Sequence, residues 1–502
     1  MNSNDRTAAR HTPIDLSPEE FRALGRDLVD RLAGLFASLR TRPVTPEAAP
    51  GRIRERLGAD RPLPDQGSDP AALLADAADL LFEHSLFNGH PRFWGYITSS
   101  PAPIGALADL LAAAVNPNVG GWKLSPMASE TAAQTVRWIA ELVGYPADCG
   151  GLLTSGGNAA NFIGILAARA ARAPWAVREE GMRGGRRMII YASSETHTWL
   201  QKAADLFGFG TEAIAWIPVD RFRRMDLARL EARVRTDRAE GHFPLAVVGS
   251  AGTVSTGAVD PLRDLAAFGR DQGLWFHVDG AYGGFAAALP EASEDLHSLA
   301  LADSLAIDPH KWLYAPLEAG CALVRDAEKL RHAFSYHPPY YHFEEEAINY
   351  FDYGLQNSRG FRALKVWLAL RQVGRAGYVQ MIRDDIALAR HLFAHLAAYP
   401  DLERFTCDLS IATFRYVPAD LRAGGGEEAR EYLNELNENI LERIERGGEA
   451  FLSPAMIEGV YALRACVVNF RTTREDIEAL PEIVVRVGRA ADAARREKTL
   501  RR

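Results

Sequence analysis

One lysine stands where an amine could act as a nucleophile. Lys311 lies in Asp308-Pro309-His310-Lys311-Trp312, directly after the short apolar run Ser304–Ile307, which predicts a buried strand. A lysine in that place lies at the carboxyl edge of a parallel sheet, where α/β proteins bind their ligands. Loss of water there favours the neutral amine, which is the nucleophilic form. The alternative is a structural lysine whose stem packs beside Trp312, and the pentapeptide alone leaves both open.

Lysine is rare in this chain, which shortens the list of candidates for amine chemistry. Only six of the 57 basic residues are lysines, and Lys311 is the one that follows a predicted strand. The other five lie in polar or helical contexts. We expect Lys365, for example, on a helix surface one turn from Arg362.

A carboxylate follows another predicted strand. Asp279 comes directly after the apolar run 274–278, and it needs a positive partner because burying an unpaired charge is costly. The protonated pyridine nitrogen of pyridoxal phosphate would be such a partner, and the carboxylate would keep it protonated. A metal ligand and a helix-capping aspartate are the alternatives. Asp279 and Lys311 are 32 residues apart, enough for one strand–helix–strand step back to the same edge.

Two further elements point to that edge. Thr154-Ser155-Gly156-Gly157-Asn158 precedes a predicted helix, and glycines at a helix N-terminus let backbone N–H groups converge on a phosphate. Its spacing fits neither the dinucleotide nor the nucleoside-triphosphate fingerprint, which disfavours a nucleotide-binding dehydrogenase. His197 follows the predicted strand 188–192. Each signal is weak alone, and their convergence predicts a cofactor site.

Short apolar strands alternate with helices from residue 88 onward. This order predicts an α/β fold, with a largely parallel sheet covered by helices on both faces. After a helix at 362–373, the pattern predicts a smaller α+β domain with strands at 412–416 and 462–469. The predicted strands of the main sheet are 188–192, 213–218, 245–249, 274–278, 304–307 and 321–324, with helices at 159–173 and 261–272.

The N-terminal segment predicts helices without a core of their own. Ser17 and Glu20 form a capping box with Pro18 at the first helical position, and an apolar stripe follows from Phe21 to Leu35. Residues 42–67 predict an extended connector, and 70–82 a second helix. We expect these helices to pack on another surface, such as a partner subunit. The predicted division is 1–87 for this segment, 88–375 for the large domain and 376–502 for the small one.

Bulk composition disfavours several classes of partner. A net charge of −8 and a pI near 6.0 argue against nucleic acid and anionic membranes. No apolar run reaches the roughly 18 residues that span a bilayer, and 104–115 predicts a buried helix. The N-terminus lacks the apolar segment of a signal peptide. Four widely spaced cysteines predict neither a zinc site nor a disulfide framework, so the expected compartment is a reducing cytoplasm.

Together, these motifs resemble the group II pyridoxal-phosphate decarboxylases of fold type I, the aromatic-L-amino-acid decarboxylase family. The resemblance runs from about residue 15 to residue 490 and implies a seven-stranded, largely parallel sheet. It also implies a homodimer with active sites at the interface. The motifs that carry it are His90-Pro91-Arg92-Phe93-Trp94, Thr154-Ser155-Gly156-Gly157-Asn158, Ala251-Gly252-Thr253, His277-Val278-Asp279-Gly280-Ala281-Tyr282 and Asp308-Pro309-His310-Lys311-Trp312.

The resemblance implies a role for each matched residue. Lys311 matches the Schiff-base lysine, Asp279 the partner of the pyridine nitrogen, and His197 the histidine stacked on the ring near the substrate carboxylate. Ala281 matches the residue packed on the other ring face. The implied cofactor-binding set is Gly157, Asn158, His197, Thr253, Asp279, Ala281, His310 and Lys311.

Tyr340 matches a loop tyrosine that returns a proton to Cα after carbon dioxide leaves, with Tyr341 as the adjacent alternative. The implied reaction converts an aromatic L-amino acid, such as tyrosine, dopa or tryptophan, to its amine. An aldehyde synthase is the alternative in the same class, and these enzymes often carry Phe at that loop position. A catalytically idle scaffold would be expected to lose Lys311 or Asp279, and both are present.

Three positions depart from the family pattern or bear on the substrate. Asp308 stands where animal relatives have Asn. Gly120 falls where some relatives place a bulky aromatic that faces the partner's pocket. Ser358 matches a position where plant enzymes carry Ser for phenolic substrates, which leans toward tyrosine or dopa.

Overall fold

The computed structural model describes residues 12–46, 49–182, 185–336, 347–422 and 424–500, with side chains to residue 497. Its strands form two sheets. The strands are β1 (Gly150–Thr154), β2 (Met188–Ser193), β3 (Ile214–Ile217), β4 (Phe243–Ser250), β5 (Trp275–Asp279), β6 (Ser304–Ile307), β7 (Gly320–Val324), β8 (Leu402–Asp408), β9 (Ile411–Tyr416), β10 (Ser453–Ile457) and β11 (Val460–Cys466).

The main sheet has seven strands in the order β1-β7-β6-β5-β4-β2-β3. Strand β7 runs antiparallel to both neighbours, and the remaining pairs are parallel. Every residue of β1, β2, β6 and β7 is buried, so both faces of the sheet are covered. Continuous apolar runs such as Met188–Ser193 form such strands because neither side chain direction reaches water. The predicted fold class is confirmed.

The described residues form fifteen α-helices, several of which cover the main sheet. They are α1 (Pro18–Ser38), α2 (Pro50–Leu57), α3 (Pro70–His84), α4 (Pro103–Val115), α5 (Pro126–Leu142), α6 (Gly157–Arg172), α7 (Val177–Glu180), α8 (Trp199–Leu206), α9 (Leu227–Ala239), α10 (Leu262–Gln272), α11 (Glu294–His297), α12 (Ala327–Phe334), α13 (Ala363–His395), α14 (Glu427–Gly447) and α15 (Arg474–Leu500). Helix α6 packs on β5, β6 and β7, and α10 packs on β4 and β5.

The smaller sheet is antiparallel, in the order β10-β11-β9-β8, and packs with α13, α14 and α15. Helix α13 crosses the predicted boundary at residue 375, with a non-helical Gly374 (φ 68°) one residue before it. Glycine adopts that positive φ without steric cost, so the chain can bend there. The division into three parts stays a prediction.

Several local predictions are wrong. Residues 42–67 are not wholly extended, because Pro50 begins helix α2 and the left-handed Gly58 ends it. Helix α4 forms where expected, but it is not buried: the side chains of Leu107, Leu110 and Leu111 are about half exposed. The sequence patterns also do not predict β1, β8 or β10. Within the described residues, no helix is long and apolar enough to cross a membrane.

Candidate active site

A cavity of about 540 Å³ opens at the carboxyl edge of the main sheet. The segments that follow β1, β2, β4, β5 and β6 all reach it, because these five strands run in the same direction. Tyr340 lies outside the described residues, as does its neighbour Tyr341. The other predicted site residues all line the cavity, namely Gly157, Asn158, His197, Thr253, Asp279, Ala281, His310 and Lys311.

Lys311 occupies the turn that follows β6. Its backbone N–H donates to the Asp308 carbonyl at 2.9 Å, and its Nζ lies 3.2 Å from Asp308 Oδ2. The side chain is 18% exposed, so the amine faces the cavity while the stem is packed. Asp308 Oδ1 is buried and has no hydrogen-bond partner among the described residues. The sequence prediction of an amine at this edge agrees with this geometry.

His310 is fixed in one orientation beside this lysine. Its Nδ1 lies 2.6 Å from the carbonyl oxygen of Ala319 and 3.3 Å from the backbone nitrogen of the same residue, so Ala319 holds this edge of the ring. Burial lowers the pKa of His310 and favours the neutral ring, whose other nitrogen is Nε2. That nitrogen lies 3.7 Å from Asp308 Oδ2.

Asp279 ends β5 with its carboxylate already oriented by two donors. The Trp199 indole Nε1–H donates to Oδ2 at 2.7 Å, and the Ala281 backbone N–H donates to Oδ1 at 3.2 Å. Among the described residues there is no cluster of three His, Cys, Asp or Glu side chains that could hold a metal. Sequence reasoning missed Trp199, whose only signal is its position two residues after His197.

The start of α6 forms an anion cradle. Gly156 precedes it with φ 116°, a conformation that side chains disfavour, and no side chain caps the helix. A Cβ on Gly157 would lie 2.7 Å from Asp308 Oδ2 and 3.1 Å from the Ala281 Cβ, so a side chain would crowd the cavity wall. The first N–H groups of α6 therefore remain available to an anion.

His197 and Thr253 line other parts of the same wall. The Trp199 backbone N–H donates to His197 Nδ1 at 3.2 Å, which places the proton of the neutral ring on Nε2. Partial loss of water lowers the pKa of His197, and the nearby Asp279 carboxylate opposes that shift. Part of the side chain nevertheless remains exposed. Thr253 is buried, with its hydroxyl 3.1 Å from that of Thr256.

A buried polar network supports the floor of the cavity. His277 Nε2 lies 2.8 Å from Asn161 Oδ1, and its Nδ1 lies 2.8 Å from the Ser304 hydroxyl. Ser304 also accepts from the Trp275 indole at 2.7 Å. Burial lowers the pKa of His277 to about 4, so the ring is neutral at pH 7. Sequence reasoning did not identify Asn161, which faces both this network and the cavity.

A second buried carboxylate holds the turn that carries Lys311. Asp385 of α13 accepts hydrogen bonds from the Trp312 indole at 3.0 Å and from the Tyr314 hydroxyl at 2.7 Å. Burial raises the pKa of Asp385 to about 7.

The prediction for Lys365 is wrong, because this lysine is buried and pairs with Asp109 at 3.1 Å.

Gly120 and Ser358 are not among the described residues that line the cavity. Gly120 is buried, and a Cβ there would collide with the backbone carbonyl of Asn357, the neighbour of Ser358. Glycine is therefore required at this position by local packing. Ser358 itself is exposed on the chain surface.

Comparisons with known proteins place the chain in a family. Residues 50–416 match the family model described as the pyridoxal-dependent decarboxylase conserved domain. The chain is 32% identical to an aromatic-L-amino-acid decarboxylase of Bacillus atrophaeus, over 92% of this chain and 94% of that one. It is 31% identical to a phenylacetaldehyde synthase of Petunia hybrida, over 90% and 91%. A crystal structure of Oryza sativa TDC with PLP and tryptamine superposes with a TM-score of 0.88 at 26% identity, covering 96% of this chain and 99% of that one.

Proposed function

Because the chain belongs to the family of pyridoxal-dependent decarboxylases, we propose that it converts an aromatic L-amino acid to the corresponding amine and carbon dioxide. As a member of that family it is a lyase that uses pyridoxal phosphate. The observation that carries the proposal is the single cavity edge at which an amine, a carboxylate and an uncapped helix start converge.

The donor set of the cavity suits this cofactor. The N-terminus of α6, with Gly157 and Asn158, offers backbone and amide donors to a phosphate. Asp279 offers a carboxylate to the ring nitrogen, and Lys311 offers the amine that would hold the aldehyde carbon. The chemistry that pyridoxal phosphate would supply when bound is a sink for the electron pair left on Cα as carbon dioxide departs.

The chain's own groups bind and orient the reactants. In this proposal Asp279 would keep a proton on the ring nitrogen, and Ala281 and His197 would hold the ring between them. The His197 Nε2–H is free to donate to the substrate carboxylate, because Nδ1 already accepts from Trp199. His310 Nε2 and Thr253 complete the polar lining of the cavity.

Aromatic substrates are proposed from the relatives. The Bacillus atrophaeus relative is named an aromatic-L-amino-acid decarboxylase, and the Oryza sativa structure holds tryptamine. Tyrosine, dopa and tryptophan are therefore the first substrates to test. The predicted preference for phenolic substrates from Ser358 remains a proposal.

The proposed assembly is a homodimer, and a cytoplasmic location remains a prediction as well. Leu107, Leu110, Leu111 and Val115 on α4 are about half exposed or more, an apolar strip that one chain leaves in water. Helix α1 adds Phe21, also exposed, and buries no residue of its own. Apolar strips of this kind are typical of subunit interfaces. A second copy is the proposed cover for both helices.

The experiment measures amine and carbon dioxide from purified protein incubated with pyridoxal phosphate and each common amino acid. We expect release from at least one of tyrosine, dopa and tryptophan, and borohydride should fix the cofactor to Lys311. A mass-spectrometric map with the adduct on another lysine would contradict the assigned site. Turnover of acidic amino acids alone would contradict the aromatic substrate class.

The alternative product is an aldehyde, since the relatives include a phenylacetaldehyde synthase. Tyr340 distinguishes the two reactions in this proposal because its hydroxyl can return a proton to Cα. With Tyr340→Phe, carbon dioxide should still leave, and oxygen and water should then convert the remaining fragment to aldehyde, ammonia and hydrogen peroxide. Tyr341→Phe is the matched control. Amine formed at the parent rate by Tyr340→Phe would assign the proton to another group.

A further inference from the structure

Helix α8 begins with a buried indole that contacts the Asp279 carboxylate. Trp199 is 1% exposed, and its Nε1–H donates to Asp279 Oδ2 at 2.7 Å. We infer that Trp199 is a positioning residue, which fixes the Asp279 carboxylate for the cofactor's ring nitrogen through this hydrogen bond. The inference deepens the proposed function and rests on it, since it assigns the residue that orients the partner of the cofactor.

Each oxygen of the Asp279 carboxylate has its own hydrogen-bond donor. Oδ2 accepts from the Trp199 indole, and Oδ1 accepts from the Ala281 N–H at 3.2 Å. Two donors on different oxygens restrict rotation of the carboxylate about its Cβ–Cγ bond. Its remaining lone pairs then have a set direction, and Asp279 lines the cavity. Hydrogen bonds to an ionised acceptor are also stronger than neutral ones.

The indole is itself held from behind. Its ring meets the His277 imidazole edge to face, with centroids 5.7 Å apart. His277 is in turn fixed by Asn161 and Ser304, each at 2.8 Å. Trp199 therefore connects the buried network around His277 to the Asp279 carboxylate. Because the indole is held in place, its N–H cannot turn to stay bonded to a carboxylate that rotates. Such support is what keeps a binding group in a productive orientation.

The hydrogen bond has a second consequence for the proton on the ring nitrogen. A carboxylate with one donor fewer holds a shared proton more tightly, because less of its charge is stabilised. Loss of the indole N–H should therefore move that proton from the ring nitrogen toward Asp279. A residue that only filled space beside Asp279 would not produce this shift.

The test compares Trp199→Phe, which keeps a buried ring but removes the N–H, with Trp94→Phe. Trp94 is equally buried, and its indole donates to Thr472 at 3.3 Å in the small-domain core. Apoenzyme is titrated with pyridoxal phosphate, and the dissociation constant is followed by the absorption of the bound cofactor. The 15N resonance of labelled cofactor reports the protonation of the ring nitrogen. Trp199→His, which retains a ring N–H, is the rescue variant.

We expect Trp199→Phe to weaken cofactor binding about tenfold and to shift the 15N resonance toward neutral pyridine. Trp94→Phe should leave both unchanged, and Trp199→His should recover part of the affinity. In an Asp279→Asn background, Trp199→Phe should add little, since both act through one contact. Parent-like affinity and resonance in Trp199→Phe would overturn the inference. Parent protein that binds no cofactor would instead overturn the proposed function, and the inference with it.

Discussion

Near the cavity, several buried polar side chains of the main sheet and of α13 have hydrogen-bond partners within the chain. His277, for example, has a hydrogen-bond partner for each ring nitrogen, and Asp385 accepts two hydrogen bonds. In helices α1 and α4 the opposite holds, since apolar side chains such as Phe21 and Leu111 face water. A buried polar group that loses its partner costs free energy because it has also lost its hydrogen bonds to water. An apolar side chain left in water instead favours contact with another apolar surface.

The contrast separates what one chain completes from what it leaves open. The cavity edge is bounded by strands that one chain buries along both faces. Helix α4 packs on α13 with one side and presents leucines on the other. Substitutions within the cavity should therefore lower activity. Substitutions on helices α1 and α4 should instead weaken dimer assembly.

The largest expected effect is at Lys311. Lys311→Ala should lower activity by about a thousandfold or more, because no other lysine in the described parts of the chain lines the cavity to supply the amine. Steady-state amine release measures this, and circular dichroism should show an unchanged fold. Lys329→Ala, an exposed lysine paired with Asp326, should keep parent activity. Loss of the dimer in Lys311→Ala would contradict the expectation that the cavity and the assembly surface respond separately to substitution.

The next effect is on assembly. Leu107→Glu with Leu111→Glu should dissociate the proposed dimer, since each buried, unpaired carboxylate costs about 3–5 kcal/mol. Light scattering across a dilution series measures the subunit equilibrium. Leu301→Glu places the same charge on another half-exposed leucine and should leave assembly unchanged. A dimer that survives the α4 substitutions would mean that another surface pairs the subunits.

A smaller effect is expected from His277 as pH falls. The folded-state pKa of about 4 lies below the ordinary 6.5, so the unfolded chain binds this proton first. Stability from His277 is therefore complete above pH 6.5 and is lost between pH 6.5 and pH 4, by about 3 kcal/mol in total.

Thermal melts of parent and His277→Gln across pH 4–8 measure this loss. The variant should be less stable at pH 7 and should show a flatter decline on acidification. Asp260 and Asp385 have raised pKa values of about 6 and about 7, so their ionisation lowers the stability of the protein as pH rises. Both groups titrate in the parent and in the variant. The difference between the two curves therefore isolates His277. Parallel curves would contradict a neutral, buried imidazole, and exposed His332→Gln is the control.

The smallest effect concerns the N-terminus of α1. Ser17 and Glu20 form a complete capping box, in which each side chain bonds the other's backbone N–H. Ser17→Ala should cost about 1 kcal/mol of local helix stability. Hydrogen exchange over residues 18–25 should accelerate, while activity at saturating substrate concentration stays at the parent level. Ser38→Ala, at the other end of the helix, is the control for a serine outside the cap.

Much of the fold follows from the sequence because its signals are local. The run Ser304–Ile307 has the observed strand bounds, and the capping box at Ser17 begins α1 as predicted. Lys311, Asp279 and His197 could be assigned to one edge because each follows a predicted strand, and parallel strands end together. The Gly157 turn could be recognised from its glycines before a predicted helix. Apolar runs and glycine positions alone determine that much.

Other features depend on contacts between distant residues, and only the tertiary structure decides these. Trp199 and Asp279 are 80 residues apart, and Asp385 reaches Trp312 across 73. Lys365 is buried because Asp109 lies opposite it, and α4 exposes its leucines because α13 covers only one side. Such pairings depend on how helices and strands pack, which local periodicity does not encode. The sequence therefore determines which residues reach the cavity edge, and packing decides which side chains hold them there.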